Sequence, residues 1–157
     1  MPQPVPHTPA EPLSKLRLRV WLKLLRATNA LQDEIRRRLR EDHHTTLPRF
    51  DVMAAIDRYP DGLKMSEISG LLRVSNGNVT GIVDRLAEEG LLVREAVPGD
   101  RRAQRVRLTE AGRAVFAGLA AAHETWIDTA LSALDADGAE RMLRRLDMLA
   151  TGAKDAE

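Results

Sequence analysis

The feature that most limits what this chain can fold into is the spacing of its apolar residues between positions 66 and 108. Two helical patterns, 66–72 and 76–89, are separated only by Arg73-Val74-Ser75, which leaves room for a tight turn. Ser75 suits the N-cap of the second helix, and Gly90 suits its end. Two strand-like runs, 91–96 and 105–108, follow, with 97–104 as the loop between them. This order predicts a helix–turn–helix followed by a β-hairpin.

Longer helical patterns flank this unit. Apolar residues recur every three or four positions from Leu13 to about Arg40, and a second helix runs from near Pro48 to about Tyr59. After the hairpin, Thr109 can cap another long helix, and one further helix follows it. Aromatic residues make up only 3% of the chain, so the core must consist of aliphatic residues, which favours helix. Residues 1–12 hold five of the eight prolines and predict an extended arm.

Several functional classes are excluded or disfavoured by what the sequence lacks. It has no cysteine, which rules out disulfides, thiol chemistry and cysteine-bound zinc. No segment approaches the roughly 20 apolar residues of a membrane span, and the N-terminus has no apolar signal region, so we expect a cytoplasmic protein. There is no Gly-rich phosphate loop, HExxH or GxSxG, and we predict no enzyme, no catalytic residue, no metal and no cofactor.

The charge is unevenly distributed although the net charge is only +1. Residues 13–41 carry a net +6, residues 98–107 a net +3, and the chain from Thr109 onward a net −4. Charged helix surfaces are common, and a solvated helix surface is one explanation of the net +6 of residues 13–41. The basic stretch 98–107 is more informative, because it lies between the two strand-like runs and therefore at the tip of the hairpin.

The outer face of the helix at 76–89 and the hairpin tip carry the residues that would meet DNA. Small and hydrogen-bonding side chains allow close approach to base edges, and asparagine can pair with adenine. An arginine at a flexible tip can enter the minor groove. The candidates are Ser75, Asn76, Gly77, Asn78, Thr80, Gly81, Arg85, Asp100, Arg101 and Arg102. Any amphipathic helix has a polar outer face, but a helix–turn–helix directly followed by a basic hairpin is a winged helix.

Residues 74–113 resemble the core of the MarR family of bacterial transcriptional regulators. The positions that match are Val79, Thr80, Val83, Asp84, Arg85, Leu86, Glu88, Gly90, Leu91, Leu92, Asp100, Arg102, Leu108, Thr109 and Gly112. The sequence departs from the family at Gly81, where an arginine is frequent. It departs again at Lys64, where a Ser or Thr cap is common, so the first helix of the motif is expected to begin at Ser66.

The resemblance implies a mainly α fold with a small β-hairpin. A winged helix–turn–helix domain, 47–108, would be flanked by dimerisation helices at 13–46 and 109–157, with 1–12 as the arm. It also implies a homodimer on double-stranded DNA at a pseudo-palindromic operator. Arg102 would enter the minor groove, Asp100 would brace the wing, and Thr80 and Arg85 would contact backbone or bases.

The family resemblance further implies a small aromatic or anionic effector bound between the DNA-binding and dimerisation regions. The candidates in this sequence are Arg17, Trp21, His43, His44, Arg49 and Met53. Arg49 could hold a carboxylate and Trp21 could stack on a ring. Four of them also have a simpler interpretation: Trp21 as a core residue, Arg49 as a solvated or phosphate-facing residue, and His43 and His44 as surface residues.

The sequence therefore predicts a ligand-responsive DNA-binding regulator, with repression expected and activation left open. The alternative is a winged-helix module that binds another protein without binding DNA specifically. The adjacent arginines of the wing favour DNA.

Overall fold

A computed structural model describes residues 11–72, 76–97 and 99–154, with only the backbone described at 76, 101–102 and 152–154. These residues form six helices and three strands, and they confirm the predicted mainly α fold with a small antiparallel sheet. In chain order the elements are α1 (Leu13–His43), α2 (Leu47–Asp57), β1 (Leu63–Lys64), α3 (Met65–Leu72), α4 (Asn76–Glu88), β2 (Leu92–Val97), β3 (Asp100–Leu108), α5 (Glu110–Ala130) and α6 (Ala136–Lys154). The turn 73–75 and most of the predicted arm 1–12 lie outside the described residues.

The junction between α1 and α2 is a tight corner. α1 continues to His43, and His44 adopts a left-handed conformation with φ 50°, which ends the helix. Thr46 then caps α2 by accepting a hydrogen bond from the backbone N–H of Arg49, and Pro48 lies in the first turn. The loop is therefore shorter than expected from the sequence, because His43 belongs to the helix.

The three strands form one antiparallel sheet in the order β1-β3-β2. The two-residue strand β1, which the sequence analysis missed, pairs Leu63 with Val106 and Lys64 with Arg105. Gly62 precedes it with φ +80°, and a Cβ there would lie 2.8 Å from the carbonyl oxygen of Val106. Two residues are too few to show a strand periodicity.

Helix α3 begins directly after β1, at Met65, which is one residue before the expected start at Ser66. The Glu67 carboxylate accepts a hydrogen bond from the backbone N–H of Lys64 at 2.7 Å.

The hairpin of β2 and β3, here called the wing, is longer than predicted. The expected loop 97–104 is wrong, because β2 continues to Val97 and β3 begins at Asp100. Pairing runs from Leu92 opposite Leu108 to Ala96 opposite Gln104, and then shifts so that Val97 lies opposite Asp100. Residues 101–103 therefore form a bulge in β3. Because the first half of β3 has charged residues on both faces, its sequence lacks the alternation of apolar and polar residues that indicates a strand, and it was predicted as a loop.

One hydrophobic core joins α2, α3, α4 and α5 to the sheet and to the second half of α1. Its most deeply buried members include Leu39, Met53, Ile56, Ile68, Val79, Val83, Leu86 and Val106. The first half of α1 and the whole described length of α6 lie outside this core. Their exposed large apolar side chains are Leu13, Leu16, Leu18, Val20, Trp21, Leu22, Leu25, Met142, Leu143, Leu146, Met148 and Leu149. In the part of the chain that the structure covers, no helix is both long and apolar enough to cross a membrane.

The start of α5 is locked against the segment that follows α4. Gly90 ends α4 with φ +75°. The Thr109 hydroxyl donates to the carbonyl of Gly90 at 2.7 Å and accepts from the backbone N–H of Gly112 at 2.9 Å. The backbone N–H of Thr109 donates to the carbonyl of Leu91 at 3.0 Å. A Cβ at Gly112 would lie 1.9 Å from that same oxygen, so only glycine fits there.

We expect Gly112→Ala to lower the free energy of unfolding by about 3 kcal/mol, because the added methyl group overlaps the backbone of Leu91 and α5 must move. Gly70→Ala is the matched control. No described neighbour lies within 4 Å of a Cβ at Gly70, which is exposed in α3, and alanine there should stabilise the helix by up to about 1 kcal/mol. Urea unfolding followed by circular dichroism measures both. Equal stability of the two variants would contradict the close packing at Gly112.

Candidate nucleic-acid interface and neighbouring cleft

Helix α4 turns one side to the core and leaves the other in solvent. Val79, Val83 and Leu86 are fully buried. The sequence-predicted residues Gly77, Asn78, Thr80, Gly81 and Arg85 are all exposed. Asn76 is the first residue of α4 and is described by its backbone alone, and Ser75 lies outside the described residues.

The exposed face of α4 has few projecting side chains near its N-terminus, because Gly77 and Gly81 lie there. In the described chain no atom of another element lies within 4 Å of a Cβ built at Gly77 or Gly81. The two glycines leave the backbone accessible, with Asn78 and Thr80 alongside as hydrogen-bonding groups. A surface of this kind can approach the base edges of a major groove closely.

The wing is tied to α4 by an ion pair. Arg94 of β2 donates to the carboxylate of Asp84 in α4. The sequence analysis gives Asp84 only as a position that matches the family, with no partner assigned to it. The pair instead joins the wing to the flank of α4. Nothing in the sequence pattern links positions 84 and 94.

Arg105 and Arg107, two arginines of the basic stretch 98–107, have described partners within the protein. Arg107 of β3 bonds the carboxylate of Glu95 across the hairpin, and this hydrogen bonding holds the pKa of Glu95 below its usual range. Arg105 donates to the backbone carbonyl of Asp61 at 3.4 Å, and its buried Nε has no hydrogen-bond partner among the described residues.

Arg101 and Arg102 lie in β3 immediately after Asp100, which is exposed at the turn. Their backbone belongs to the bulge at 101–103, and their side chains lie outside the described residues. The basic pair thus lies beside the tip of the hairpin, on the strand and not on a long flexible loop.

A cleft of about 400 Å³ lies behind the winged helix, between the end of α1, α2, the end of α4 and α5. Three of the residues predicted from the sequence to hold an effector line it: His43, Arg49 and Met53. Residues that the sequence analysis missed also line it, among them Glu89, Leu91 and Leu119.

The other three predicted effector residues lie elsewhere in the chain. Arg17 and Trp21 are on the exposed first half of α1, and Trp21 is 57% exposed. At 1.5 Å per residue, the helix places Trp21 about 33 Å from His43. His44 adjoins the cleft but does not line it. One chain therefore does not bring the six residues together, and their joint role stays a prediction.

Arg49 and Glu89 form a two-point ion pair at the cleft. One guanidinium nitrogen of Arg49 donates to Glu89 Oε1 at 2.9 Å, and the other donates to Oε2. These hydrogen bonds hold the pKa of Glu89 below its usual range, so its carboxylate is ionised at neutral pH. Glu89 was not singled out from the sequence, because its partner is distant along the chain and the pairing depends on the tertiary fold.

His43 is held by aromatic packing. Its ring lies 5.6 Å from that of Trp126 in α5, and the Arg38 guanidinium lies 5.7 Å from the same indole. On the neighbouring turn of α5, His123 stacks on Phe50 of α2 at 4.9 Å. These contacts fix the end of α1 and the start of α2 against α5, and of these residues His43 lines the cleft.

The known proteins that this chain resembles in sequence are transcriptional regulators. Residues 43–103 match the profile of the MarR family. The transcriptional regulator MhqR of Bacillus subtilis is 26% identical over 137 residues, which is 87% of this chain and 93% of MhqR. Other curated regulators match over about half of their length.

Solved structures show the same architecture. A MarR family regulator from Silicibacter pomeroyi is 29% identical, with a TM-score of 0.70 over 94% of this chain and 99% of that one. Sco3205 of Streptomyces coelicolor, solved in complex with DNA, shares the fold at 22% identity, with a TM-score of 0.76 over 94% of this chain and 92% of its own. The sequence resemblance is confirmed: residues 43–103 match the MarR family, and the regulator from Silicibacter pomeroyi that this chain resembles along almost its whole length is a MarR family transcriptional regulator.

Proposed function

We propose that this protein is a sequence-specific DNA-binding transcriptional regulator that acts as a homodimer on a pseudo-palindromic operator. The observation that carries the proposal is the exposed, small and polar face of α4, fixed beside a basic wing by the Asp84–Arg94 ion pair. The family assignment gives independent support. DNA-binding residues remain those predicted from the sequence, with residues 47–108 as the DNA-binding domain.

Each part of the surface suits one groove. α4 enters the major groove, where Gly77 and Gly81 allow close approach and Asn78 and Thr80 meet base edges or phosphates. The wing follows the neighbouring backbone, and Arg102 reaches the minor groove, where the negative potential is strong. Gly81 occupies a position where the family often has an arginine. This protein therefore lacks the charged contact with DNA that an arginine would make from that position of α4.

The dimer forms through the helices at 13–46 and 109–157. A monomer would leave the large apolar side chains of the first half of α1 and of α6 in water, and contiguous exposed apolar surface of this kind is typical of a protein–protein contact. A second copy covers these faces, and the two-fold axis sets two winged helices about one DNA turn apart.

The alternative, a winged-helix module that binds only a protein, is disfavoured. The strong negative potential of a DNA minor groove attracts adjacent arginines beside the tip of the wing. A protein partner does not require them. We further propose that the protein is not an enzyme, that it needs no cofactor, and that it acts in the cytoplasm beside the chromosome.

A small effector fits the cleft beside Arg49. The cleft borders both the DNA-binding domain and α5, so a ligand that prefers one arrangement of these parts would change operator affinity. We propose repression relieved by a small aromatic or anionic compound. The position of the operator relative to the promoter decides between repression and activation.

The function is tested by titrating the purified protein against DNA from directly upstream of its own gene, at two salt concentrations, with competitor DNA present. A specific complex should survive competition, and its affinity should fall steeply with salt as counterions are released. Binding that competitor abolishes, together with a flat salt dependence, would contradict the proposal.

Arg102→Ala should weaken operator binding by about 1–3 kcal/mol, because one groove contact is lost. Arg58→Ala removes the same charge at the exposed end of α2 and should leave the affinity almost unchanged. Fluorescence anisotropy with labelled operator measures both. Equal effects of the two substitutions would show that only net charge is at work.

Asn78→Ala should change which base is preferred at one position of each half-site, since asparagine recognises adenine through two hydrogen bonds. Binding is measured across a set of single-base operator variants, with Asn29→Ala on α1 as the control. A uniform loss of affinity across the set would mean that Asn78 contacts only phosphate.

Leu149→Glu should weaken the dimer about 100-fold or more, because two symmetric copies each place a charge in an apolar interface. Leu149 in α6 is 57% exposed in the single chain, and Leu71 in α3 is 51% exposed. Leu71→Glu is therefore the matched control. Sedimentation over a concentration series gives the dissociation constants. A Leu149→Glu protein that remains as dimeric as the control would move the interface away from α6.

A further inference from the structure

The outer face of the three-stranded sheet carries two cations side by side. Lys64 of β1 and Arg105 of β3 lie directly opposite each other in the antiparallel register, next to Leu63 and Val106, which are buried in the core. Side chains alternate along a strand, so Lys64 and Arg105 both point away from the core, on one face of the sheet. Like charges directly opposite each other destabilise a sheet. An anion bound between the two cations would remove that cost.

The carboxylates nearest to this pair are engaged elsewhere. Glu95 of β2 lies opposite Arg105 on the other side of β3, but its carboxylate is bonded by Arg107. Glu67 accepts a hydrogen bond from the backbone N–H of Lys64, which fixes the junction of β1 and α3. Neither Lys64 nor Arg105 forms an ion pair with any carboxylate of the described residues. Both positive charges therefore remain uncompensated within this part of the protein.

Arg105 also keeps hydrogen-bonding capacity that the protein does not use. One of its terminal nitrogens donates to the backbone carbonyl of Asp61 at 3.4 Å, which is long for a hydrogen bond. Its buried Nε has no partner among the described residues, and an unpaired buried donor costs free energy. The five N–H donors of a guanidinium form a fixed fork that matches the oxygens of a phosphate group. A small outward movement toward a phosphate would give the Nε the partner that it lacks.

The two cations lie between two elements that are expected to meet DNA. β1 continues directly into α3 at Met65. In a docked helix–turn–helix the first helix crosses the DNA backbone while the second lies in the major groove. On the other side, β3 carries Arg105 on the same strand as Arg101 and Arg102, which lie beside the tip of the wing. A backbone phosphate near the start of α3 would therefore come close to this pair.

We propose that Lys64 and Arg105 together bind one phosphate group of the DNA backbone, at the junction of β1, β3 and α3. The inference rests on the proposed function as a DNA-binding regulator, and it adds a contact outside the residues of α4 and of the wing tip. Phosphate contacts fix the position of a protein on the duplex and carry no base information. This contact holds α3 and the wing in place on the backbone while α4 reads the bases.

The first test is the salt dependence of DNA binding by the full-length protein, measured by fluorescence anisotropy. The probes are labelled DNA from directly upstream of the gene and a labelled duplex of unrelated sequence. Lys64→Gln should reduce the slope of log affinity against log salt by about one per winged helix, or about two per dimer, on both probes. Arg58→Gln removes an exposed cation at the end of α2 and is the matched control, which should keep the wild-type slope.

The second test locates the phosphate. Phosphates of the specifically bound duplex are replaced one at a time by uncharged methylphosphonates. At one phosphate of each half-site, the replacement should weaken binding by wild type about fivefold. It should have no further effect on the double variant Lys64→Gln, Arg105→Gln, because the contact is already lost. Lys64→Arg keeps the charge and should respond like wild type.

Thermal unfolding without DNA separates a binding role from a structural one. Lys64→Gln removes the repulsion between two like charges, so its unfolding midpoint should equal or exceed that of wild type. A variant that is at least as stable as wild type and yet binds DNA more weakly has lost a contact with DNA, not its fold.

An unchanged salt slope for Lys64→Gln, or a change equal to that of Arg58→Gln, would overturn the inference. A lowered unfolding midpoint of Lys64→Gln would do so too, as would a scan in which every sensitive phosphate is equally sensitive in the double variant. Failure of the proposed function looks different, because wild type then forms no competitor-resistant complex with the upstream DNA. The slope on the unrelated duplex still tests the phosphate contact in that case, and wild type that binds neither duplex would overturn both.

Discussion

The close approach of α5 to the backbone that follows α4 is the contact on which the rest of the molecule depends. Thr109 caps α5 and at the same time bonds the carbonyls of Gly90 and Leu91, and Gly112 leaves no room for a side chain between the two elements. The end of α4, the start of β2 and the start of α5 therefore meet at one point. Through this point, the position of the DNA-reading helix is linked to α5, which continues toward the proposed dimer interface.

The same short segment serves three purposes. Gly90 terminates α4, Leu91 anchors α5 and lines the cleft, and Glu89 pairs with Arg49 across to α2. On the far side of α4, Asp84 holds the wing through Arg94. α4 is thus held along its length by contacts that differ in strength: apolar burial is hard to undo, whereas half-exposed ion pairs contribute little stability and exchange partners readily. A regulator needs this combination, because its reading helix must be ordered and yet movable.

Much of this architecture could be predicted from the sequence, because it is encoded locally. Helical periodicity, the Thr109 cap and Gly90 specify the helices and the order of elements. The strand β1 is too short for periodicity, and the extent of the wing is concealed by charged residues on both faces of β3. The pairs Arg49–Glu89 and Asp84–Arg94 depend on tertiary approach, which spacing does not encode. Likewise, the candidates Arg17 and Trp21 lie far from Arg49 along α1, a separation that residue type alone does not reveal.

Hydroxyl-radical footprinting on the DNA upstream of the gene, at a protein concentration that saturates specific binding, shows whether two copies of this winged helix read two symmetric half-sites. We expect two protected patches related by a two-fold axis, with centres about one helical turn, or roughly 10 base pairs, apart. A single protected patch, or protection spread evenly along the fragment, would contradict it.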